Sequence, residues 1–287
     1  MLTHDYADVN GMRLHYVEAG EGKPILFLHG FPEFWYQWKD QITDLSRDHR
    51  VIAVDMRGYN LSSKPEDVEQ YQITHLVEDV RSLAAHLHLP PFVLIGHDWG
   101  GAVAYAFAST YPEQLERLVV INAPHPAILD RELHQNPAQQ HASQYTLLIE
   151  RQGAEEVYSA DNYARLAGVL RSAGVTEDDI SVYREAWSQP GWLTAALNYY
   201  RANRFRPPGT DGSPANGDYV PQLTDMTVEV PTLVIWGEKD VYLVTSNLDG
   251  LQHYVPNLTI QRIPDAGHLV THERPDLTNA YIRDFTV

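Results

Sequence analysis

The most informative short stretch of the chain is GHDWGG, at residues 96–101. It follows the apolar run PFVLI and precedes the small-residue segment AVAYAFAST, so it predicts a tight glycine turn between a strand and a helix. Asp98 stands at the centre of this turn, where a nucleophile is presented in similar strand-to-helix turns. The N-terminus of the following helix stabilises a carboxylate, so Asp98 would be ionised near neutral pH. Local sequence alone leaves a nucleophile and a simple helix cap equally open.

Two further residues could complete the chemistry. Asp240 follows the apolar run TLVIWG, and His268 follows LTIQRIPDAG, so each comes just after a predicted strand. A carboxylate bonded to one imidazole nitrogen orients the ring and leaves the other nitrogen to act as a base. A histidine at a strand end is by itself more often structural, but here Asp240 supplies a matching acid. The sequence therefore predicts Asp98, Asp240 and His268 as a catalytic set.

Six short runs must position this set. Most of them are apolar on consecutive residues, as expected for strands that are buried on both faces of a parallel sheet. They are PILFLHG (24–30), RVIAVD (50–55), PFVLIGHD (91–98), RLVVINAP (117–124), TLVIWGEKD (232–240) and LTIQRIPDAGH (258–268). Helical patterns lie between and after them: EFWYQWKDQITDLSRD, THLVEDVRSLAAHLHL, AVAYAFASTYP and RPDLTNAYIRDFTV. This alternation predicts a doubly wound sheet with helices on both faces and functional groups at the carboxyl ends of its strands.

The alternation stops between about residues 125 and 220. This stretch is helix-like and rich in aromatic residues, and it ends in the Pro/Gly/Asp loop RPPGTDGSPANGD. We therefore expect an α/β core formed by residues 1–124 and 222–287. Residues 125–221 are expected to form a helical cap inserted over the carboxyl ends of the strands.

The composition limits the classes of function. The net charge of −17 disfavours nucleic acid and anionic membranes, and mildly disfavours strongly anionic substrates. The absence of cysteine excludes disulfides and thiolate catalysis, and the 14 histidines form no metal-binding motif, so no metal and no cofactor is expected. No apolar run could span a bilayer, and the first residues are polar, so a cytoplasmic protein is expected. We expect it to be a monomer or a homodimer.

With these pieces together, the chain resembles the α/β-hydrolase superfamily along nearly its whole length. The chain order of nucleophile, acid and histidine matches that superfamily. In that fold, the loop after the first clear strand, HGFP at residues 29–32, supplies one backbone N–H group of an oxyanion hole. The residue after the nucleophile supplies the other, so the resemblance assigns these roles to Phe31 and Trp99.

Longer motifs make the chain similar to the epoxide hydrolases. They are HGFPEFWYQW (29–38), DMRGYNLSSKP (55–65), GHDWGG (96–101), NAPHP (122–126), GEKD (237–240) and DAGH (265–268). GHDWG is shared with haloalkane dehalogenases and so indicates a branch with an aspartate nucleophile, whereas HGFPEFWY favours epoxide hydrolases. Asn122 stands where some haloalkane dehalogenases carry the triad acid, and its amide cannot take that role.

The cap discriminates further between these families. Epoxide hydrolases of this type resemble one another in two cap tyrosines, one in the first cap helix and one in an Asn-aromatic-Tyr-Arg segment. The matching residues are Tyr145, in ASQYTLLIE, and Tyr200, in LNYYRANRF, although Tyr199 stays open as the alternative to Tyr200. We also expect Trp35 and Trp99 to line an apolar pocket.

The resemblance implies hydrolysis of a small apolar epoxide by water through an ester on Asp98. Attack by a carboxylate on a saturated carbon gives a stable ester, whereas attack on an ester gives a mixed anhydride that readily reverts. Asp98 therefore indicates an epoxide or an alkyl halide as the electrophile. Two alternatives remain: a haloalkane or other dehalogenase with the same nucleophile, and a non-catalytic ligand receptor built on the hydrolase fold.

Overall fold

A computed structural model of the chain describes residues 1–209, 212–216 and 226–286. Its strands are β1 (Thr3–Val9), β2 (Met12–Ala19), β3 (Lys23–Leu28), β4 (His49–Val54), β5 (Phe92–His97), β6 (Leu115–Ile121), β7 (Thr232–Gly237) and β8 (Leu258–Ile263). They form one sheet in the order β1-β2-β4-β3-β5-β6-β7-β8, which is parallel from β4 to β8. All six predicted runs form strands, so the mostly parallel sheet is confirmed.

Helices cover both faces of this sheet, as predicted. They are α1 (Lys39–Leu45), α2 (Ile73–His86), α3 (Trp99–Thr110), α4 (Pro126–Gln135), α5 (Pro137–Ala142), α6 (Gln144–Ile149), α7 (Ala154–Ser172), α8 (Glu177–Trp187), α9 (Trp192–Asn203), α10 (Val270–Glu273) and α11 (Pro275–Thr286). Helices α1 and α11 pack with Ile25 and Phe27 on one face, and α2 and α3 pack with Leu26 and Leu28 on the other. None of the helices in the described ranges is long and apolar enough to cross a membrane.

A hairpin at the start of the chain was not predicted. Strand β1 pairs with β2 in antiparallel register from Thr3 to Val9, and β2 continues antiparallel to β4. The turn consists of Asn10 and Gly11, with φ of 49° and 71°. An Asn-Gly pair is the strongest short-range signal for a two-residue hairpin because both positions need positive φ. That signal was present in the sequence.

The chain between β6 and β7 contains the helices α4 to α9. The first of them begins at Pro126, close to the expected start of the cap. Helix α7 is kinked at residues 160–163, where three consecutive residues have left-handed φ. The other expected boundary, between residues 221 and 222, lies outside the described residues, so the division into two domains stays a prediction.

Two glycines at the turn between β5 and α3 leave no room for a side chain at their positions. A Cβ atom at Gly100 would lie 2.1 Å from the carbonyl oxygen of Leu28, and one at Gly96 would lie 2.2 Å from the carbonyl oxygen of Gly100. Both contacts are with backbone, which cannot move aside without distorting β3 or α3. These glycines therefore allow α3 to begin directly against the sheet.

The substitution Gly100→Ala should lower the free energy of unfolding by about 3 kcal/mol, because the added methyl group overpacks a backbone contact. The matched control is Gly168→Ala on α7, where a Cβ atom would meet nothing within 4 Å. There the better helix propensity of alanine should raise stability by up to about 1 kcal/mol. Urea unfolding of both variants measures the difference, and equal effects would contradict the close packing.

Candidate active site

Asp98 lies at the apex of the turn between β5 and α3. Its φ of 52° and ψ of −121° are unusual for a residue other than glycine, and strained conformations of this kind cluster at functional sites. The loop after β3 lies directly against it, since a Cβ atom at Gly30 would come within 2.4 Å of Asp98 Cβ. The strained turn thus holds the carboxylate at the carboxyl edge of the sheet.

A backbone N–H group faces this carboxylate. The Phe31 N–H donates to Asp98 Oδ1 at 2.8 Å. Trp99 is the first residue of α3, where backbone N–H groups have no partner within the helix. Burial by itself raises the pKa of Asp98, but hydrogen bonds from His268 and the Phe31 N–H outweigh burial and lower the pKa. The carboxylate is therefore anionic at neutral pH.

His268 lies between two carboxylates. Its Nδ1 bonds Asp240 Oδ2 at 2.7 Å, and its Nε2 lies 3.5 Å from Asp98 Oδ2. Burial alone lowers the pKa of His268, but the two anions outweigh it and raise the pKa well above its usual value. The structure thus brings together the three residues that the sequence predicted as a set.

Asp240 is held by several donors. Its Oδ1 accepts from the backbone N–H groups of Tyr242, at 2.8 Å, and Leu243, at 3.0 Å. Its Oδ2 accepts from Asn122 Nδ2 at 2.8 Å, and Asn122 Oδ1 in turn accepts from the Gly237 N–H at 2.8 Å. From the sequence, Asn122 was only a residue whose amide cannot serve as the triad acid. The sequence places Asn122 just after the β6 run, but only the strand order brings it next to Asp240.

Two cavities meet at Asp98, and Tyr145 and Tyr200 line both. The larger cavity has a volume of about 160 Å³. Its other lining residues are Phe31, Pro32, Tyr158, Arg165, Leu166, Val169, Tyr242, His268 and Leu269. The smaller cavity has a volume of about 70 Å³ and is mainly apolar. Its remaining lining residues are Trp99, Ala102, Pro124, Pro126, Leu129, Ser143, Thr146, Phe205 and Leu243.

The two candidate tyrosines of α9 lie in different surroundings. Tyr199 is buried away from both cavities and donates its hydroxyl to the Arg57 carbonyl at 2.7 Å. Tyr200 faces the cavities, and its ring lies edge-on to that of Tyr145 with centroids 6.0 Å apart. Burial, reinforced by the charge of Asp98, raises the pKa of both Tyr145 and Tyr200 well above the usual value. Both phenols are therefore protonated donors.

The two tryptophans expected in the pocket also differ. Trp99 lines the smaller cavity, with its ring 5.0 Å from that of Tyr200. Trp35 lines neither cavity, contrary to expectation. Its backbone N–H donates to Asp55 at 3.0 Å and its ring packs against His4 at 5.4 Å, so it belongs to the packing around β1 and β2.

Behind the site lies a buried polar cluster that the sequence did not predict. Glu33 Oε1 contacts His272 Nε2 at 2.5 Å and accepts from the Tyr183 hydroxyl, in α8, at 2.9 Å. Also in α8, Trp187 Nε1 donates to the Pro32 carbonyl at 2.7 Å. His97 Nε2 donates to the His268 carbonyl at 2.9 Å. The bonds to Glu33 and Pro32 join helix α8 to the loop that carries Phe31. The bond from His97 holds the backbone of His268 in place.

Comparison with known proteins gives a consistent result. Residues 23–275 match the alpha/beta hydrolase fold family. The chain is 38% identical to the AB hydrolase superfamily protein YfhM of Bacillus subtilis, over 98% of this chain and 96% of that protein. It is 35% identical to Epoxide hydrolase 4 of Mus musculus, over 99% of this chain and 79% of that protein. The crystal structure of a mutant epoxide hydrolase from Bacillus megaterium, complexed with its product naphthyloxy-propane-1,2-diol, matches with a TM-score of 0.89 and 35% identity, over 98% of this chain and 99% of that one.

The substitution Asp240→Asn should lower the pKa of His268, because it removes the larger of the two anionic interactions that oppose burial. The imidazole would then lose its proton at a lower pH than in the unaltered protein. Titration of the ring by ¹⁵N NMR measures the change. Asp249→Asn, on an exposed side chain, is the control and should leave the His268 titration unaltered. An unchanged pKa in the Asp240 variant would exclude Asp240 as the cause.

Proposed function

The chain belongs to the α/β-hydrolase fold family, in its epoxide hydrolase branch, and on that premise we propose that it hydrolyses epoxides to vicinal diols. One observation carries the proposal: the carboxylate Asp98 and the phenols Tyr145 and Tyr200 line the same cavity. Opening an epoxide needs a nucleophile at carbon and a proton donor at oxygen in one step. The vicinal diol bound as product by the Bacillus megaterium relative supports the same product class.

The first step is alkylation of Asp98. The epoxide oxygen accepts hydrogen bonds from Tyr145 and Tyr200 while Asp98 attacks an adjacent ring carbon. The carbon–oxygen bond of the ring breaks, an ester forms on Asp98, and one phenol gives its proton to the departing oxygen. A raised pKa suits these phenols to donate hydrogen bonds in the resting enzyme, and a proton moves only when an alkoxide develops.

The second step is hydrolysis of that ester. Esterification removes the negative charge of Asp98, and with it one of the two interactions that raise the pKa of His268. The pKa of His268 therefore falls after alkylation, so the imidazolium loses its proton, which balances the proton that the phenolate regains. The neutral imidazole can then take a proton from water. Hydroxide then attacks the ester carbonyl of Asp98, and the backbone N–H groups of Phe31 and Trp99 stabilise the oxyanion. The diol leaves and the carboxylate is restored.

The two alternatives differ from this proposal in what they need from the cavity. A dehalogenase would use the same carboxylate and bind a halide, whereas the paired phenols have a role only when an oxygen must be protonated. A ligand receptor would need neither the Asp98–His268–Asp240 set nor the phenols. Assays for halide release and diol formation on a panel of epoxides and haloalkanes separate all three possibilities.

The variant His268→Gln should trap the alkyl-enzyme, because the ester forms but water is no longer deprotonated. Loss of the base should slow hydrolysis by about 10²–10⁴-fold. Mass spectrometry after mixing with an epoxide should find the mass of the epoxide added on the peptide that contains Asp98. His253→Gln, at an exposed histidine, should turn over normally without an adduct. Absence of an adduct in the His268 variant would contradict the covalent route.

Replacing both Tyr145 and Tyr200 by Phe should slow epoxide opening by about 10²-fold or more, because no acid then protonates the leaving oxygen. Alkylation by an alkyl halide needs no such proton and should be affected far less. Single-turnover rates with one epoxide and one haloalkane provide the comparison. Tyr199→Phe is the matched control, since its hydroxyl contacts the Arg57 carbonyl and not the cavity. An equal loss with both substrates would indicate a packing role for the pair.

A further inference from the structure

A buried amide in helix α5 binds the loop that follows the triad acid. Gln139 is completely buried, and its Oε1 accepts from the Val244 N–H at 3.0 Å and from Asn247 Nδ2 at 2.7 Å. Its Nε2 donates to the Tyr242 carbonyl at 2.8 Å and to Ser143 Oγ at 2.8 Å. A side-chain amide has two donor hydrogens and two acceptor lone pairs, so the hydrogen-bonding capacity of Gln139 is fully used.

Two of these partners fix the direction in which the Gln139 amide points. The Val244 N–H can only donate, and the Tyr242 carbonyl can only accept. An exchange of the amide oxygen and nitrogen would place two donors together and two acceptors together. The position therefore needs a side chain that both accepts and donates, whereas an apolar side chain of the same size would only fill the space.

The bonds of Gln139 and those of the triad acid hold the same short segment. Asp240 Oδ1 accepts from the N–H groups of Tyr242 and Leu243, and Gln139 binds the carbonyl of Tyr242 and the N–H two residues further on. The peptide groups of this segment are thus held from two sides. Movement of the segment would take its N–H groups away from Asp240, which orients His268 through a bond of 2.7 Å.

The ring of Tyr242 makes this segment part of the active-site wall. It lines the larger cavity and lies edge-on to the rings of His268 and Tyr145, with centroids 5.3 Å away in each case. At its other end, Gln139 bonds Ser143, the residue that directly precedes α6, and α6 carries Tyr145. One buried amide therefore connects the support of the base with the start of the helix that carries a proposed acid.

We propose that Gln139 is a positioning residue for hydrolysis of the ester: it keeps the loop after β7 where Asp240 holds His268 ready to act as a base. This inference rests on the proposed function, because the ester forms only in that reaction. Alkylation uses the carboxylate of Asp98 and the two cap phenols, and it needs no proton to be taken from water. The role of Gln139 should therefore appear in the second step of the reaction and much less in the first.

The variant Gln139→Met tests this role, because it removes the four hydrogen bonds with little change in side-chain volume. Single turnovers with excess enzyme, followed by mass spectrometry of the alkyl-enzyme and the diol, measure the two steps separately. Hydrolysis of the ester should be slowed about tenfold, since small displacements of a catalytic group are costly, and alkylation should be slowed less than about twofold. The pKa of His268, measured by ¹⁵N NMR, should fall as Asp240 loses its fixed position.

The matched control is Asn203→Leu, in α9. Asn203 is also a buried amide between the cap and the core: its Nδ2 donates to the Tyr71 carbonyl at 3.0 Å, and its Oδ1 accepts from the Ile73 N–H at 3.0 Å. Both variants should unfold at a lower urea concentration than the wild type. Only Gln139→Met should change the ratio of the hydrolysis rate to the alkylation rate and the titration of His268.

The variant Gln139→Glu keeps the shape of the side chain and provides the test if Gln139→Met does not fold. A protonated carboxyl can donate to the Tyr242 carbonyl and accept from the Val244 N–H, whereas an ionised one repels that carbonyl. The rate of ester hydrolysis, relative to the wild type at the same pH, should therefore fall as the pH rises. The relative rate of alkylation should stay nearly constant.

Two results would overturn the role of Gln139. One is a wild-type ratio of the two rates together with a wild-type titration of His268 in the folded Gln139 variants. The other is equal slowing of both steps, which would indicate a purely structural contact. If the wild type hydrolyses no epoxide, the proposed function fails, and the titration of His268 alone then decides whether Gln139 positions Asp240.

Discussion

The site depends on one imidazole placed between two carboxylates. Asp98 and Asp240 lie at the same edge of the sheet, and two buried anions so close together would repel each other strongly. His268 bonds Asp240 at 2.7 Å and faces Asp98 at 3.5 Å, so its positive charge offsets the repulsion between them. The raised pKa of His268 and the lowered pKa of Asp98 are therefore two results of the same balance. A reaction that neutralises Asp98 alters the balance and changes what His268 can do.

The surrounding structure holds this imidazole from several directions. Asn122 fixes Asp240 from the end of β6, and His97 fixes the His268 backbone from the end of β5. The strained Asp98 turn completes the arrangement, because its φ of 52° aims the carboxylate at the Phe31 N–H. All of these groups come from carboxyl ends of neighbouring parallel strands or from the loops that follow them. The parallel sheet thus gathers residues that lie far apart in sequence.

Much of this could be predicted from the sequence because the relevant signals are local. Mostly apolar runs marked all six parallel strands, and the position of Asp98 after such a run indicated its turn. The hairpin turn at Asn10 and Gly11 had an equally local signal that was not used. By contrast, the bond from Asn122 to Asp240 depends on which strands are neighbours. The position of Trp35 outside the pocket depends on how its ring packs. Strand order and packing are not written in any short segment, so these features needed the structure.

The bonds between α8 and the core restrict how a ligand can reach Asp98. Tyr183 donates to the buried Glu33 carboxylate, and Trp187 donates to the Pro32 carbonyl. Moving α8 away from the core would break both hydrogen bonds, which have a net contribution of about 0.5–1.5 kcal/mol to a neutral acceptor and about 1.5–3 kcal/mol to a charged one. Passage between helix α7 and the loops after β7 and β8 breaks neither bond. Helix α8 is therefore anchored to the loop after β3, and the side chains beside α7, rather than a hinged movement of α8, are expected to control access to Asp98.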